Sequence, residues 1–300
     1  MDKFEAMRVF CSVIEAGGFA PAAERMGLST SAVSRHVAQL EAHLNVRLLN
    51  RTTRRMSPTD EGFAYFERCT QLLVDLEETE ASVSGKARRP HGRLRLTAPI
   101  ALATLRLAPV FAAFSRQYPE ITLDIQLSDN VADFAEDGLD LAIRVGRVGS
   151  ENLVARHIGQ TELLVAAAPD YLARAGTPSS PDELAQHDCL TYTYSSIGNQ
   201  WAFEDKAGKA VSARIGGPIN ANNGMLLAEI AAAGGGIALA PGFILQPLIE
   251  SGRLRRILPD WRTPRLPIHA VYPTRRHLSA KVQAMTAFLS EWFAARSNGI

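Results

Sequence analysis

A short polar stretch near the N-terminus carries the side chains best suited to recognition chemistry. Val33, Val37 and Leu40 repeat at helical spacing and are expected to face a protein core. The outer face of the same helix is left with hydroxyl, amide and guanidinium groups, which belong to Thr30, Ser31, Ser34, Arg35 and Gln39. A face with such groups and almost no negative charge is what a helix lying in a DNA major groove requires.

A second, shorter helix is predicted directly before this one. Ala22, Ala23 and Met26 are spaced so that small apolar groups share one helical face. Gly27 is suited to end that helix, and the hydroxyl residues at 29–31 are suited to cap the next one. The pair of helices therefore predicts a helix-turn-helix, although an ordinary amphipathic hairpin with a polar outer face remains an alternative at this point.

Arginines are concentrated around and after the candidate recognition helix. Between Arg25 and Pro58 there are six arginines and one acid, Glu41, so the local excess is five positive charges. Four of these arginines follow the helix within nine positions, and they are Arg47, Arg51, Arg54 and Arg55. A basic patch beside a polar helix is expected of a phosphate-binding surface, and it favours the DNA-binding interpretation.

The stretch AAERMGLSTSAVSRHVAQLEAHLNVRLLNRTTRRMSPTDEG resembles the N-terminal winged helix-turn-helix of LysR-type transcriptional regulators. The resemblance is carried by AVSR, by the Leu40–Glu41 pair, by the RLLNRTTRR wing and by a T-x-x-G motif at the start of the next helix. It extends to essentially the whole chain. It implies double-stranded promoter DNA, a small-molecule effector, other copies of the chain and RNA polymerase as partners.

Composition bounds the remaining possibilities. The chain has 300 residues, enough for two or three compact units, and a formal net charge of +1 that hides the local asymmetry. No apolar run approaches the roughly 18 residues that a membrane span needs, and the start of the chain lacks the apolar core of a signal peptide. Three cysteines, few and far apart, predict a reducing cytoplasm, without a disulfide framework or a metal site.

A long helix is predicted from about residue 60 to 84. Its apolar residues fall on a heptad pattern, with the seam formed by Phe66, Cys69, Leu73 and Leu76. The seam predicts pairing with a second copy, although a helix packed onto its own domain is an alternative. In the family that the chain resembles, this linker helix is the dimer contact and a tetramer is built as a dimer of dimers. The basic tract that follows, SGKARRPHG, is interpreted as a solvated linker.

Strands and helices alternate beyond the linker. This order predicts an α/β domain with a largely parallel sheet. The pattern resembles the two-lobed effector-binding domain of the family, which is related in fold to periplasmic solute-binding proteins. The chain is expected to cross between lobes near Thr161 and to return near Leu266. The predicted boundaries are 1–59 for the winged helix-turn-helix, 60–90 for the linker helix and 91–300 for the effector domain, with lobe one at about 91–161 and 266–300 and lobe two at about 162–265.

Three polar points in this domain are candidates for binding an effector. Ligands of α/β sheets sit at the carboxyl ends of strands and at helix N-termini. The family resemblance implies that these positions line the cleft, and they are Thr97, Pro99, Ile100, Ala101 and Thr104, then Arg144, Val145 and Gly146, then Asn220, Asn222 and Asn223. Ile100 and Ala101 stand where a hydroxyl residue is common, which favours an effector with an apolar part. The asparagines could instead be helix caps or turn residues.

Two other classes of function compete with a regulator. An enzyme is disfavoured because the sequence lacks a G-x-S-x-G elbow, a Walker loop, CxxC and HExxH, so we expect no catalytic residues, metal or cofactor. The triple glycine at 234–236 lies between a predicted helix and strand and is interpreted as a turn. A solute-binding module without DNA activity is the nearer rival, opposed by the arginine-rich wing and by the lack of a signal peptide.

Overall fold

A computed structural model describes residues 2–51, 56–84, 89–130, 134, 138–146, 148, 153–195, 198–273 and 278–295. The chain divides into two compact units, Met1–Arg89 and Pro90–Ile300.

The first unit is a winged helix-turn-helix followed by a long helix. Asp2 caps its first helix, because its carboxylate accepts hydrogen bonds from the backbone N–H groups of Phe4 and Glu5. In chain order the elements are α1 (Lys3–Glu15), α2 (Phe19–Met26), α3 (Thr30–Leu44), β1 (Leu49–Arg51), β2 (Met56–Pro58) and α4 (Asp60–Ser84). β1 and β2 pair antiparallel and form the wing.

The core of the first unit is formed by the inner faces of its helices. Val33, Val37 and Leu40 are buried, as their spacing predicts, and they share this core with Phe10 of α1 and Ala22 of α2. The predicted winged helix-turn-helix is therefore confirmed.

The long helix α4 packs against α1, and this corrects part of the predicted dimer seam. Cys69 is fully buried and Leu73 is 8% exposed, both within the core of their own unit. Phe66 is half-buried against the same core, and Leu76 is also half-buried. Since Cys69 and Leu73 already fill that core, they are not available to a second copy. Leu72, by contrast, is 51% exposed.

The second unit is a mixed α/β domain. Its first helix begins with α5 and continues through a π-helical turn at Ala103–Leu107 into α6, and a 3-10 helix at Pro181–Gln186 precedes β7. The elements are β3 (Gly92–Ala98), α5 (Ile100–Leu102), α6 (Ala108–Gln117), β4 (Ile121–Leu127), β5 (Leu141–Val145), β6 (Leu153–Ala167), α7 (Pro169–Ala175), β7 (Cys189–Tyr192), β8 (Gln200–Glu204), β9 (Ala210–Arg214), β10 (Asn220–Ala221), α8 (Gly224–Ala232), β11 (Ile237–Pro241), α9 (Gly242–Glu250), β12 (Arg255–Arg256), β13 (Arg265–Pro273) and α10 (Ala280–Ala294).

Eight strands of a nine-stranded sheet follow the order β10-β7-β11-β6-β13-β5-β3-β4, and β12 pairs with β6 beside this path. The outer strands are parallel, since β3 pairs in parallel with β4 and β5, and β7 with β10 and β11. The central strands β6 and β13 are antiparallel to each other, and each is antiparallel to its outer neighbour. The expectation of a largely parallel sheet is therefore wrong for the middle of the sheet, because the chain leaves lobe one on β6 and returns on β13.

The predicted crossing points lie opposite each other. Thr161 of β6 is paired with Leu266 of β13 in the register of the two strands. The two-lobed α/β architecture is thus confirmed. The sequence VADFAEDG at 131–138 is typical of a short helix, and it lies largely outside the described residues.

A buried ion pair fixes the C-terminal helix to lobe one. The side chain of Lys281 is 1% exposed, and its Nζ donates to the carbonyl oxygen of Arg93 at 2.8 Å. The same Nζ lies 3.1 Å from Oδ2 of Asp140, which also accepts from the backbone N–H of Arg95. These contacts hold α10 against β3.

None of the described helices is long and apolar enough to span a membrane.

Candidate nucleic-acid interface and interlobe cleft

The turn between α2 and α3 is built from local signals. Gly27 adopts φ of 66°, the left-handed conformation that ends α2, and the N–H of Leu28 donates to the carbonyl oxygen of Ala23 at 2.9 Å. Ser29 caps α3, because its Oγ accepts from the N–H of Ala32 at 3.2 Å. The predicted helix end and helix start are both confirmed, and they fix the direction in which α3 leaves the turn.

The outer face of α3 carries the predicted polar residues. Thr30, Ser31, Arg35 and Gln39 are exposed and Ser34 is half-exposed. Arg25, on α2, is already engaged, since its guanidinium lies 3.1 Å from the carboxylate of Glu15. Within the part of the chain that the structure describes, no carboxylate pairs with Arg35. Its charge is therefore available to an external anion or hydrogen-bond acceptor.

Glu41 ties the recognition helix to the wing. Its Oε1 accepts hydrogen bonds from the backbone N–H groups of Leu48 at 2.8 Å and Leu49 at 3.1 Å, where β1 begins. The Leu40–Glu41 pair in the motif thus has two separate roles. Leu40 fills the core, and the carboxylate of Glu41 satisfies backbone donors that would otherwise lack partners.

The T-x-x-G motif closes the other end of the wing. Thr59 Oγ1 donates to the carbonyl oxygen of Arg47 at 2.8 Å and accepts from the N–H of Gly62 at 2.9 Å. A Cβ on Gly62 would lie 1.9 Å from the carbonyl oxygen of Leu48, so only glycine allows this approach of α4 to β1. The motif therefore positions the wing rather than contacting a ligand.

The predicted phosphate-binding arginines follow α3 in the chain. Arg54 and Arg55 lie outside the described residues, and so does the side chain of Arg51, whose backbone belongs to β1. Arg47 is exposed just before that strand. Their role in DNA binding stays a prediction.

The first candidate point of the effector cleft lies where β3 passes into α5. Thr97 is buried at the end of β3, Pro99 precedes the helix, and the backbone N–H of Ile100 donates to Oδ1 of Asp129 at 3.1 Å. Ala101 is buried, whereas Thr104 is exposed on the π-helical turn. An acidic side chain of the protein itself therefore occupies the start of this helix.

The second point lies at the end of β5. Arg144 is half-buried, with one guanidinium nitrogen donating to the carbonyl oxygen of Ile143 at 2.8 Å and another 3.5 Å from Thr97 Oγ1. Burial lowers the pKa of Arg144, and the negative charge of Asp129 partly opposes that effect. Val145 is half-buried, and Gly146 adopts φ of 92° in the turn that follows.

The three candidate asparagines have different surroundings. Asn220 donates to Thr191 Oγ1 at 2.8 Å and accepts from Thr193 Oγ1 at 2.6 Å. Its amide therefore links β10 to β7 and the residue that follows β7. Asn222 is exposed. Asn223 caps α8 through its Oδ1, and its Nδ2 lies 3.4 Å from Oδ2 of Asp129. The predicted cap and a contact between lobes are thus combined in Asn223.

Asp129 is the residue of this region that the sequence analysis did not identify. It follows β4, at the carboxyl end of a strand next to β3, so the rule that selected Thr97 and Arg144 applied to it as well. Tyr192 of β7 also lies near it. Burial raises the pKa of Tyr192 to about 12, with a further contribution from the charge of Asp129, so its hydroxyl stays protonated.

A separate cavity of about 300 Å³ lies on lobe two, between residues 177–179 and 255–261. Leu258 adopts φ of 51° there, and none of the predicted site residues lines it. Within the described ranges, His, Cys, Asp and Glu side chains form no group of three that could hold a metal ion.

Comparison with known proteins identifies the class of both parts of the chain. A family model described as bacterial regulatory helix-turn-helix protein, lysR family, matches residues 4–63, and one described as LysR substrate binding domain matches residues 87–294. The HTH-type transcriptional regulator CrgA of Neisseria meningitidis is 35% identical over 288 residues, which cover 96% of each chain. An HTH-type transcriptional repressor of Pseudomonas aeruginosa is 36% identical over 98% of this chain and 93% of the relative.

Solved structures show the same architecture. The structure of CrgA has a TM-score of 0.60 at 34% identity, and full-length AphB, a virulence activator of Vibrio cholerae, has 0.59 at 28% identity. Each comparison covers 96% of this chain and 98% of the other. The chain therefore belongs to the LysR family of transcriptional regulators. Members of this family bind DNA and small-molecule effectors, form oligomers and are regulators rather than enzymes.

Proposed function

We propose that α3 reads base edges in a DNA major groove through Thr30, Ser31, Ser34, Arg35 and Gln39, while Arg51, Arg54 and Arg55 of the wing bind phosphates. The observation that carries this proposal is the exposed guanidinium of Arg35, which has no carboxylate partner among the described residues. An Arg side chain in this situation is suited to bidentate hydrogen bonding with guanine. The contacts of Glu41 and Thr59 support it further, because they hold the wing in a fixed position beside α3.

The same proposal places a small-molecule effector between the two lobes. Thr97, Ile100 and Arg144 of lobe one and Asn223 of lobe two are the residues that bind it. Support comes from the 3.4 Å approach of Asn223 to Asp129, since it brings one predicted residue of lobe two to lobe one. The other predicted positions contribute as the wall of the cleft, and they are Pro99, Ala101, Thr104, Val145, Gly146, Asn220 and Asn222.

Assembly and location follow from the same function. α4 pairs with α4 of a second copy, chiefly through the exposed Leu72 together with the half-buried Leu76. The effector domains join two such dimers into a tetramer. A regulator of this type works in the cytoplasm and acts on transcription together with RNA polymerase. The effector acts by its differential affinity for two arrangements of the assembly, which alters the spacing of the DNA-reading units.

Recovery of genomic DNA fragments with the purified protein, followed by sequencing, tests the function. We expect enrichment of a site with two related halves, matching a two-fold dimer. Affinity for that site should fall steeply, by about 10³-fold or more between 50 and 200 mM salt, if the dimer makes six or more phosphate contacts. No enrichment, or binding that is insensitive to salt, would instead favour a solute-binding module without DNA activity.

A further inference from the structure

Arg144 places a positive charge in the cleft, and the described residues offer it no matching negative partner. Among them, its guanidinium contacts only neutral oxygens, the carbonyl of Ile143 and the hydroxyl of Thr97. Across the described residues, no carboxylate oxygen lies within ion-pairing distance of it. A half-buried guanidinium in this state has five donor N–H groups and is only partly satisfied, so it favours an anionic group from outside.

Asp129 places a negative charge in the same cleft, and no described residue supplies a matching positive charge. Its carboxylate accepts one backbone N–H, from Ile100, and one side-chain amide, from Asn223. A carboxylate has about four acceptor sites, so about two remain. No cationic side chain of the described residues forms an ion pair with it.

Both groups contact the turn from β3 into α5, Arg144 through Thr97 and Asp129 through the N–H of Ile100, and among the described residues they do not form an ion pair. We infer that the effector is a small zwitterion of the α-amino-acid type, with its carboxylate on Arg144 and Thr97 and its ammonium group on Asp129. This inference rests on the proposed function of the cleft and specifies the chemical class of its ligand. Each charge of the ligand then replaces water at a partly buried charge of opposite sign, which supplies affinity and orientation together.

A simple anion is the competing ligand. A simple anion would pair with Arg144, but the carboxylate of Asp129 would repel it. To avoid that repulsion, the side chain of Asp129 would have to give up its hydrogen bond with the N–H of Ile100. A simple cation would pair with Asp129, but the positive charge of Arg144 would repel it. Only a ligand with both charges satisfies both groups while these hydrogen bonds of Arg144 and Asp129 are retained.

Thermal-shift titration of the full-length protein with the twenty proteinogenic L-α-amino acids provides the test. We expect at least one to raise the unfolding temperature in a saturable manner. Isothermal titration calorimetry then compares that amino acid with its analogue lacking the amino group and its analogue lacking the carboxyl group. Both analogues should bind at least about 10-fold more weakly, since each loses a charge-assisted contact. If no amino acid binds, or if the deaminated acid binds as tightly, the inference is wrong.

Two substitutions separate this inference from the proposed function. Arg144→Gln and Asp129→Asn should each weaken binding of the amino acid by about 10- to 100-fold. Arg116→Gln and Glu120→Gln are matched controls, because both residues are exposed in lobe one near the start of β4, away from the carboxyl ends of the strands. Both controls should bind as the wild type does. If enrichment of a DNA site succeeds while amino acids fail to bind, only the ligand class is overturned, whereas failure of DNA enrichment counts against the regulator itself.

Discussion

The side chain of Asn223 in lobe two donates to the carboxylate of Asp129 in lobe one at 3.4 Å, between residues 94 positions apart. Asp129 also accepts from the backbone N–H of Ile100, so one carboxylate joins the start of α5 to the start of α8. The two lobes are therefore in polar contact at Asp129.

This contact predicts an energetic coupling between the two residues. Asn223→Ala removes the cap of α8 as well as the bridge and should lower the free energy of unfolding by about 1–2 kcal/mol. Combined with Asp129→Ala, a double-mutant cycle in chemical unfolding should give a coupling of about 0.5–1 kcal/mol. Asn223→Ser keeps a capping hydroxyl but is too short to bridge, so it separates the two roles. Strict additivity of the two alanine substitutions would show that the bridge has no energetic weight.

The burial pattern of α4 predicts which side chain controls dimer formation. Leu72→Glu should shift the protein towards monomer in sedimentation velocity, because a charge is placed on an exposed apolar site of the helix. Leu73→Ala should instead destabilise the first unit by about 2–5 kcal/mol, since Leu73 is part of its core. Phe63→Glu is the control, as Phe63 is exposed on the opposite side of the helix. If the mass of the assembly is unchanged in Leu72→Glu, α4 is not the dimer contact.

The cysteines are expected to be unreactive in the folded protein. Cys11, Cys69 and Cys189 are buried and free, and burial raises the pKa of both Cys11 and Cys189 to about 12. Since the thiolate is the reactive form, labelling by a thiol reagent at pH 8 should proceed only as fast as the protein unfolds. Rapid labelling of one thiol under native conditions would contradict this expectation and would reopen a redox role for it.

His269 predicts a loss of stability on mild acidification. Burial lowers its pKa, and the neighbouring His157, whose ring centroid is 5.9 Å away, adds to the effect. A histidine whose pKa is lower in the folded state binds fewer protons there than in the unfolded chain. Its contribution is therefore present above about pH 6.5 and is lost as the pH falls. The melting temperature of the wild type should drop more between pH 7.5 and 5.5 than that of His269→Gln. Equal drops would assign the acid sensitivity to other groups.

The sequence predicted those parts of the structure that depend on neighbours in the chain. The end of α2 at Gly27, the cap at Ser29 and the inner face of α3 are all local, so helical period and turn chemistry were sufficient to predict them. The family motif also included Glu41 and Gly62, but their roles in positioning the wing depend on how the residues before β1 pack against α3 and α4.

The predictions that failed depend on contacts between distant segments. A heptad pattern suits a coiled coil and a helix packed on its own domain equally well, which is why Leu73 was assigned to a dimer seam. The antiparallel centre of the sheet arises only when β13 returns beside β6. Asp129 is identified as a cleft residue by the pairing of β4 with β3 and by its contact with Asn223 of lobe two, and both are contacts between distant segments.

DNA binding by wild type and Arg35→Ala most directly tests the central claim that α3 reads DNA sequence. Fluorescence anisotropy would compare the enriched site with a scrambled duplex at one fixed salt concentration, with Arg116→Gln as a control for loss of a positive charge. We predict that Arg35→Ala loses about 1–3 kcal/mol on the enriched site and discriminates less between the two duplexes, while the control matches the wild type. Wild-type affinities of Arg35→Ala for both duplexes would contradict the assignment of α3 as the reading helix.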